Sequence, residues 1–353
     1  MAKYRIAWLP GDGVGNDVME AAKRVLDATS LDAEYVPGEV GWECWEKYSD
    51  PLPPATVEIL KSTDCCLFGA ITSKPGVKGY KSPIVRARQI FQLYANVRPC
   101  KAYPGNPLNY RDNIDIVVFR ENTEGLYSGL DFHPPLTPQL LAVPGLENAD
   151  PDNSAVSIRY FTRKGCQRIL RAAFEYAVKH DRKKVTSISK ANVIRATCGM
   201  FLEEAEKIAK EYPSIEYWNA NIDAMAMWLI KNPEDYDVLV TTNMFGDIIS
   251  DEAAQLVGGL GFACSANMGD DYALFEPTHG SAPKYAGMYK VNPTAMLLSV
   301  KMMMDYLGEI QLASELENGI ARTVKEGKAR TYDMGGSSTT LEVAEEVARN
   351  MGP

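Results

Sequence analysis

Three arginines are the first residues whose types and spacing imply chemistry. Arg88 lies in SPIVRARQIFQLYANVRP, Arg98 follows ten residues later past an apolar stretch, and Arg120 closes the run IDIVVFR. Guanidinium forks bind carboxylates bidentately, so arginines emerging together from apolar surroundings suit a di- or tricarboxylate. Any one of them alone is more often a structural ion-pair partner. The carboxylates supply the complement. FGDIISD sets Asp247 and Asp251 at i and i+4 on one helix face, just after YDVLVTTN. Carboxylates so paired offer oxygen ligands to a hard divalent cation, Mg²⁺ or Mn²⁺. Asp223, opening another helical stretch in NIDAMAM, can complete the set, with helix capping the alternative for each. Lys190 closes KVTSISK, and a lysine among cations and metal has its pKa lowered towards that of a base. Tyr127, in RENTEGLY, carries a phenol proton to donate; for either residue alone a surface or core role is the alternative.

The elements that must position these residues are short apolar runs alternating with helical patterns. Strands are expected at 5–9, 64–68, 114–119, 184–189, 215–218 and 238–242. Val14, Val18, Ala21, Ala22 and Val25 share one helix face, as do Ile169, Ala172, Ala173 and Tyr176, and later Ala295, Leu298, Met302 and Leu307. This alternation predicts an α/β protein with a mixed, largely parallel sheet flanked by helices. Arg120 and Lys190 then stand at carboxyl ends of strands, where such folds place ligands. Gly11-Asp12-Gly13-Val14-Gly15 sits between a strand and a helix, but Asn16 stands where GxGxxG needs spacing to a third glycine. Two readings stay open there: a nucleotide-binding turn, or a tight strand-to-helix turn with an Asp near the helix start. From Gly129 to about Asn153 the rhythm breaks in GLDFHPPLTPQLLAVPGLENADPDN, and SAVSIRYFTR then alternates like an exposed strand. An arm pairing with another subunit is the preferred reading, and a plain loop the alternative.

Composition narrows the class. At about 150 residues per domain, 353 residues suggest two domains. With 46% hydrophobic and 24% charged residues the chain can bury a sizeable core, and its net charge of −9 argues against nucleic acid as a main partner. No run approaches the roughly 18 apolar residues of a membrane span. The opening MAKYRIAWLPGDG enters a strand-like run without a leader pattern, and seven scattered cysteines lack metal spacing. Both features lead to the expectation of a cytoplasmic protein with reduced, buried thiols.

The motifs resemble those of the metal-dependent β-decarboxylating dehydrogenases, the family of isocitrate, 3-isopropylmalate and homoisocitrate dehydrogenases. The resemblance spans essentially the whole chain: LPGDGVG (9–15), LYANVRP (93–99), RENTEGLY (120–127), KAN (190–192), TTNMFGDIISDEAA (241–254), EPTHGSAP (276–283) and NPTA (292–295), in family order. It implies an isopropylmalate dehydrogenase-like two-domain fold rather than a Rossmann fold, which accounts for the incomplete glycine motif. One large cofactor-side domain is expected from residues 1–100 plus 250–353. A small dimerisation domain is expected from 101–249, with an intersubunit arm at about 129–163.

The resemblance also implies roles. Arg88, Arg98 and Arg120 look like the substrate-carboxylate binders, with Ser82 beside them. Asp247 and Asp251 resemble metal ligands of one subunit, and Asp223 the ligand supplied by the other in a homodimer with shared active sites. Lys190, also from the partner, resembles the base for the C2 hydroxyl, and Tyr127 the acid that protonates the enolate after CO₂ leaves. Ile71, Thr72, His279, Gly280, Ala282, Lys284, Tyr285, Asn292 and Tyr332 fall at cofactor positions. Lys284-Tyr285 and Tyr332 suit a 2′-phosphate and predict NADP; Gly335-Gly336-Ser337 lacks a further arginine, so NAD stays possible. Ser82, with Lys81 or Arg86 nearby, suits a third carboxylate better than an isopropyl group, giving the order isocitrate, homoisocitrate, isopropylmalate. A catalytically silent regulatory subunit is the alternative outside enzymes. Such a chain is expected to lose a metal Asp, the lysine or the tyrosine, and all are present.

Overall fold

The computed structural model describes residues 2–74, 76, 77 and 79–352. Its strands, in chain order, are β1 Tyr4–Gly11, β2 Ala33–Pro37, β3 Cys65–Ala70, β4 Ala95–Lys101, β5 Asp115–Glu121, β6 Asp131–Phe132, β7 Val156–Ser157, β8 Lys184–Ser189, β9 Glu216–Asn221, β10 Val238–Thr241, β11 Cys264–Met268 and β12 Ala273–Pro277. All but β6 and β7 form one sheet in the order β2-β1-β3-β12-β11-β4-β5-β10-β8-β9. The blocks β2-β1-β3-β12 and β5-β10-β8-β9 are parallel within themselves. Antiparallel pairings through β11 and β4 join them, so the sheet is mixed and largely parallel.

Alternation along the strands separates two faces. Val97, Val117, Phe119, Val238 and Val240 pack on one side with helices Arg163–Lys179 and Arg195–Ala209. Cys100, Ile116, Val118, Ile188 and Leu239 pack on the other with helices Ile222–Lys231 and Asn243–Gln255. The expected helix after the glycine turn runs Val14–Asp27, and its predicted face Val14, Val18, Ala21, Ala22 and Val25 is buried. Each such valine contributes on the order of 2 kcal/mol of burial.

Among the strands that sequence patterning misses, two next to the arginines share a cause. β4 and β11 carry Asn96, Arg98, Ser265 and Asn267 among their apolar residues, all buried. A strand that presents polar groups to a site has no clean hydrophobic run to detect.

The glycine turn takes the second of its two readings. Gly13 has φ +56°, and a Cβ there would lie 2.2 Å from the Ser281 carbonyl oxygen, which accepts the Val14 N–H at 2.8 Å. The first N–H of this helix is thus taken by the chain itself. Asp12 is buried and serves neighbouring segments, accepting the N–H groups of Trp42 and Thr72 at 2.8 Å each. In the stretch 129–163, β6 pairs with β7, and SAVSIRYFTR contributes only the two strand residues of β7. Leu130, Phe132, Ile158 and Tyr160 are exposed there.

Candidate active site

The arginines arrive on three elements. Arg120 is the penultimate residue of β5, Arg98 lies in β4, and Arg88 lies near the end of helix Pro83–Ile90, which starts with Pro83 behind Ser82. Their side chains are only 2%, 9% and 9% exposed. β10 leads through Thr242 into helix Asn243–Gln255, which carries Asp247 and Asp251 one turn apart. A Cβ on Gly246 would stand 2.6 Å from the Arg120 Cβ, so the glycine lets this helix lie close against β5.

That approach brings the charges together. Arg120 Nη1 donates to Asp247 Oδ1, and Arg98 Nη2 lies 3.3 Å from the same oxygen. Arg98 Nη1 reaches Asp251 Oδ1 at 3.2 Å and Ser250 Oγ at 2.7 Å. Tyr127 Oη donates to Asp247 Oδ2 at 2.5 Å, and its ring centre lies 5.0 Å from the Arg120 guanidinium. Arg88 Nη2 pairs with Glu276 at 3.2 Å. Arg86 bonds Asp50 instead of joining this group.

Lys190 and Asp223 stand apart. Lys190, just past β8, donates to Asp223 in the first turn of helix Ile222–Lys231. Among the described residues neither bonds Asp247 or Asp251, and no three His, Cys, Asp or Glu side chains gather closely enough to hold a metal.

The expected cofactor residues occupy the segments after β3 and β12, except Tyr332, which lies in the turn between helices Ile310–Glu326 and Thr340–Asn350. Thr72 Oγ1 and Ser281 Oγ share a hydrogen bond of 2.6 Å, and Ile71 packs against the apolar cluster under β3. His279 Nδ1 lies 3.0 Å from the Gly280 carbonyl oxygen, while its Nε2 and the Thr278 hydroxyl are buried without partners among the described residues. Ala282 holds a left-handed φ of +34° before the exposed Lys284. The Tyr285 and Tyr332 rings lie 5.9 Å apart, and Asn292 donates to Asp333 at 3.2 Å.

With this arrangement in place, likeness to known proteins is decisive. The isocitrate/isopropylmalate dehydrogenase family model matches residues 5–347. The chain is 47% identical to homoisocitrate dehydrogenase of Methanocaldococcus jannaschii, covering 97% of this chain and 96% of that protein. It is 42% identical to 3-isopropylmalate dehydrogenase of Methanothermobacter thermautotrophicus, covering 99% of each. The structure of isocitrate dehydrogenase from Methylococcus capsulatus superposes with TM-score 0.91 at 39% identity, covering 99% of each chain. The chain belongs to the isocitrate/isopropylmalate dehydrogenase family.

As a member of the isocitrate/isopropylmalate dehydrogenase family it is a decarboxylating dehydrogenase. The family acts on small carboxylic acids, depends on Mg²⁺ or Mn²⁺ and on NAD(P), and commonly forms dimers. The electrostatics of the cluster fit a metal and an anion. Burial pushes the Arg120 guanidinium down and Arg98 and Arg88 push it further, with Asp247 acting against them. Burial raises the Asp247 carboxyl, but Arg120 and Arg98 outweigh it and hold it below the usual range. Asp251 goes the other way, raised by burial and by Asp247 against the pull of Arg98. Adjacent carboxylates on one helix, one of them under-compensated, are hard oxygen donors of the kind Mg²⁺ and Mn²⁺ take. The buried, unpartnered Thr278 and His279 atoms similarly fit a polar cofactor at the loop after β12.

Several contacts escape motif reading. Glu276 on Arg88, Ser250 on Arg98 and Asp333 on Asn292 take part, as do three buried asparagines on the arginines. Asn96, Asn243 and Glu276 lie inside the recognised motifs, but neither an uncharged amide nor a single carboxylate there carries a pattern that singles it out.

Proposed function

We propose that this protein oxidatively decarboxylates a 2-hydroxy-3-carboxy acid bearing a third carboxylate, homoisocitrate or isocitrate, with NADP the preferred acceptor and NAD possible. The observation that carries it is the convergence of buried Arg88, Arg98 and Arg120 on the Asp247–Asp251 helix. Their Nη edges suit bidentate capture of substrate carboxylates. Asp247 and Asp251 hold the divalent cation, with Asp223 contributed across a homodimer interface together with Lys190. A single chain keeps Asp223 and Lys190 away from the other two aspartates, which supports that sharing. Exposed Met227, Ile230 and Ile248, on the two helices that follow β9 and β10, supply apolar surface for such an interface. The stretch 129–163 extends it as an arm, and the division into 1–100 plus 250–353 and 101–249 follows the same reading.

When bound, the cation supplies a Lewis acid for the C2 oxygen and the nicotinamide a hydride acceptor. Lys190 takes the C2 hydroxyl proton as the C2 hydride departs. The C3 carboxylate leaves as CO₂, and Tyr127 delivers a proton to C3. Burial and the Asp247 acceptor raise the Tyr127 phenol, so it keeps that proton until it is needed.

Homoisocitrate stands ahead of isocitrate here. The homoisocitrate relative shares 47% identity against 39% for the isocitrate structure. With Arg86 taken by Asp50, Lys81, exposed just before helix Pro83–Ile90, is the cation we assign to the third carboxylate of a longer acid. Specificity constants for homoisocitrate, isocitrate and 3-isopropylmalate, each with Mg²⁺ and with EDTA, test the proposal. A preference for 3-isopropylmalate overturns it. Lys284→Asp is expected to move the kcat/KM ratio towards NAD by about tenfold or more; an unchanged ratio rejects the NADP assignment.

A further inference from the structure

Each of the three arginines is gripped at the same atom by the same kind of group. Arg88 Nε donates to Asn267 Oδ1 at 2.9 Å, Arg98 Nε to Asn96 Oδ1 at 2.7 Å, and Arg120 Nε to Asn243 Oδ1 at 3.1 Å. Asn96 and Asn267 are 0% exposed and Asn243 1%. The three arginines come from a helix and two strands, and the asparagines from β4, β11 and a helix start, so no single local motif produces the pattern.

The amides are themselves oriented. Asn243 Nδ2 donates to the Glu124 carbonyl oxygen at 3.1 Å, which turns its oxygen towards Arg120. Asn96 Nδ2 donates to Asn267 Oδ1 at 2.7 Å, leaving its oxygen for Arg98. Asn267 Nδ2 donates to Glu276 Oε1 at 2.8 Å, and that carboxylate also takes Arg88 Nη2. Asn267, Asn96 and Arg120 stand in register across β11, β4 and β5, so Asn96 and Asn267 form one row on the cleft face.

The choice of amide has a physical consequence. An aspartate at these places would orient the guanidinium equally well but cancel its charge in a medium that screens poorly. A neutral oxygen fixes the Nε side without adding a further carboxylate to those the Nη atoms already meet, Glu276 for Arg88, Asp247 and Asp251 for Arg98, and Asp247 for Arg120, whose Nη2 also donates to Asn243 Oδ1 at 2.8 Å. We infer that Asn96, Asn243 and Asn267 are positioning residues, which aim the three guanidiniums at the substrate carboxylates while preserving their positive charge. This rests on the reading that the arginines bind substrate.

The test uses the full-length enzyme with Mg²⁺, NADP or NAD, and isocitrate or homoisocitrate. Asn96→Leu and Asn96→Asp are expected to raise substrate KM at least tenfold while cofactor KM stays within twofold. In an Arg98→Lys background the Asn96→Leu change is expected to add less than twofold, because both act through one guanidinium. Equal effects in both backgrounds, or a folded Asn96→Leu enzyme with unchanged substrate KM, overturns the inference. If Arg98→Lys alone leaves substrate KM unchanged, the carboxylate-binding reading falls and takes this inference with it. Should Asn96→Leu fail to fold, Asn243→Ser, at the start of its helix, is read in the same way against Arg120→Lys.

Discussion

Strand β4 carries an ion-pair cluster on each face, and the two are built on opposite logic. On the cleft face, Arg98 shares Asp247 with Arg120 beside Arg88, so like charges crowd and each arginine works against the others. On the other face, Lys101 bonds Glu317 at 2.6 Å, Lys301 lies 3.1 Å from Glu317 and 3.0 Å from Asp305, and Tyr103 donates to Glu317 at 3.3 Å. Signs alternate there, and every charge supports its neighbour's. Burial raises the Glu317 carboxyl, but Lys301 and Lys101 outweigh it and hold it down at about 2. The same residue types thus make a crowded cluster, which the proposed ligand would relieve, and a satisfied one that holds the fold. The satisfied cluster lines a groove of about 420 Å³ between helices Arg163–Lys179 and Thr294–Tyr306.

The contrast breaks first at Asp247. Asp247→Asn is expected to lower kcat/KM by about 10³-fold or more, since it removes a cation ligand and the shared partner of two arginines. Near-normal turnover in Mg²⁺ would show the cleft cluster to be structural. Next in size is ligand relief: substrate with Mg²⁺ at about 100 times Kd should add about 2.7 kcal/mol to unfolding free energy. EDTA should remove most of that gain, and thermal melting with and without chelator reads it. Across the strand, Glu317→Gln should cost about 2 kcal/mol in urea unfolding while leaving kcat/KM within about twofold. A large kinetic loss with unchanged stability would invert the assignment of the two faces.

The smallest effect is the pH dependence of that last difference. The folded Glu317 pKa of about 2 lies below its ordinary value of 4.5. Its stabilisation is therefore fully present above about pH 4.5 and is lost as pH falls towards 2. Urea curves at pH 6 and pH 3 are expected to show the wild-type advantage over Glu317→Gln shrinking; an advantage constant over that range contradicts it.

What was legible in the chain follows from how each element earns its burial. β1, β3, β5 and β10 are largely apolar runs, and the expected strands coincide with these and with the more polar β8 to within a residue or two. In β4 and β11, buried Asn96, Arg98, Ser265 and Asn267 interrupt the apolar run. The arginines and the Asp247–Asp251 pair stand out by charge and spacing, whereas Asn267 in SANM does not.

The sequence by itself determined the α/β class, the family and the charged residues proposed for the site, because periodicity, charge and motif order are local properties of the chain. Only tertiary structure decided that Asp12 ties down Trp42 and Thr72 instead of facing a phosphate. It alone decided that Arg86 goes to Asp50, and that Lys190 and Asp223 meet each other apart from Asp247. It also decided which neutral amide holds each arginine. Those outcomes depend on strand order and register across residues up to 179 positions apart, as between Arg88 and Asn267, where no local pattern can reach.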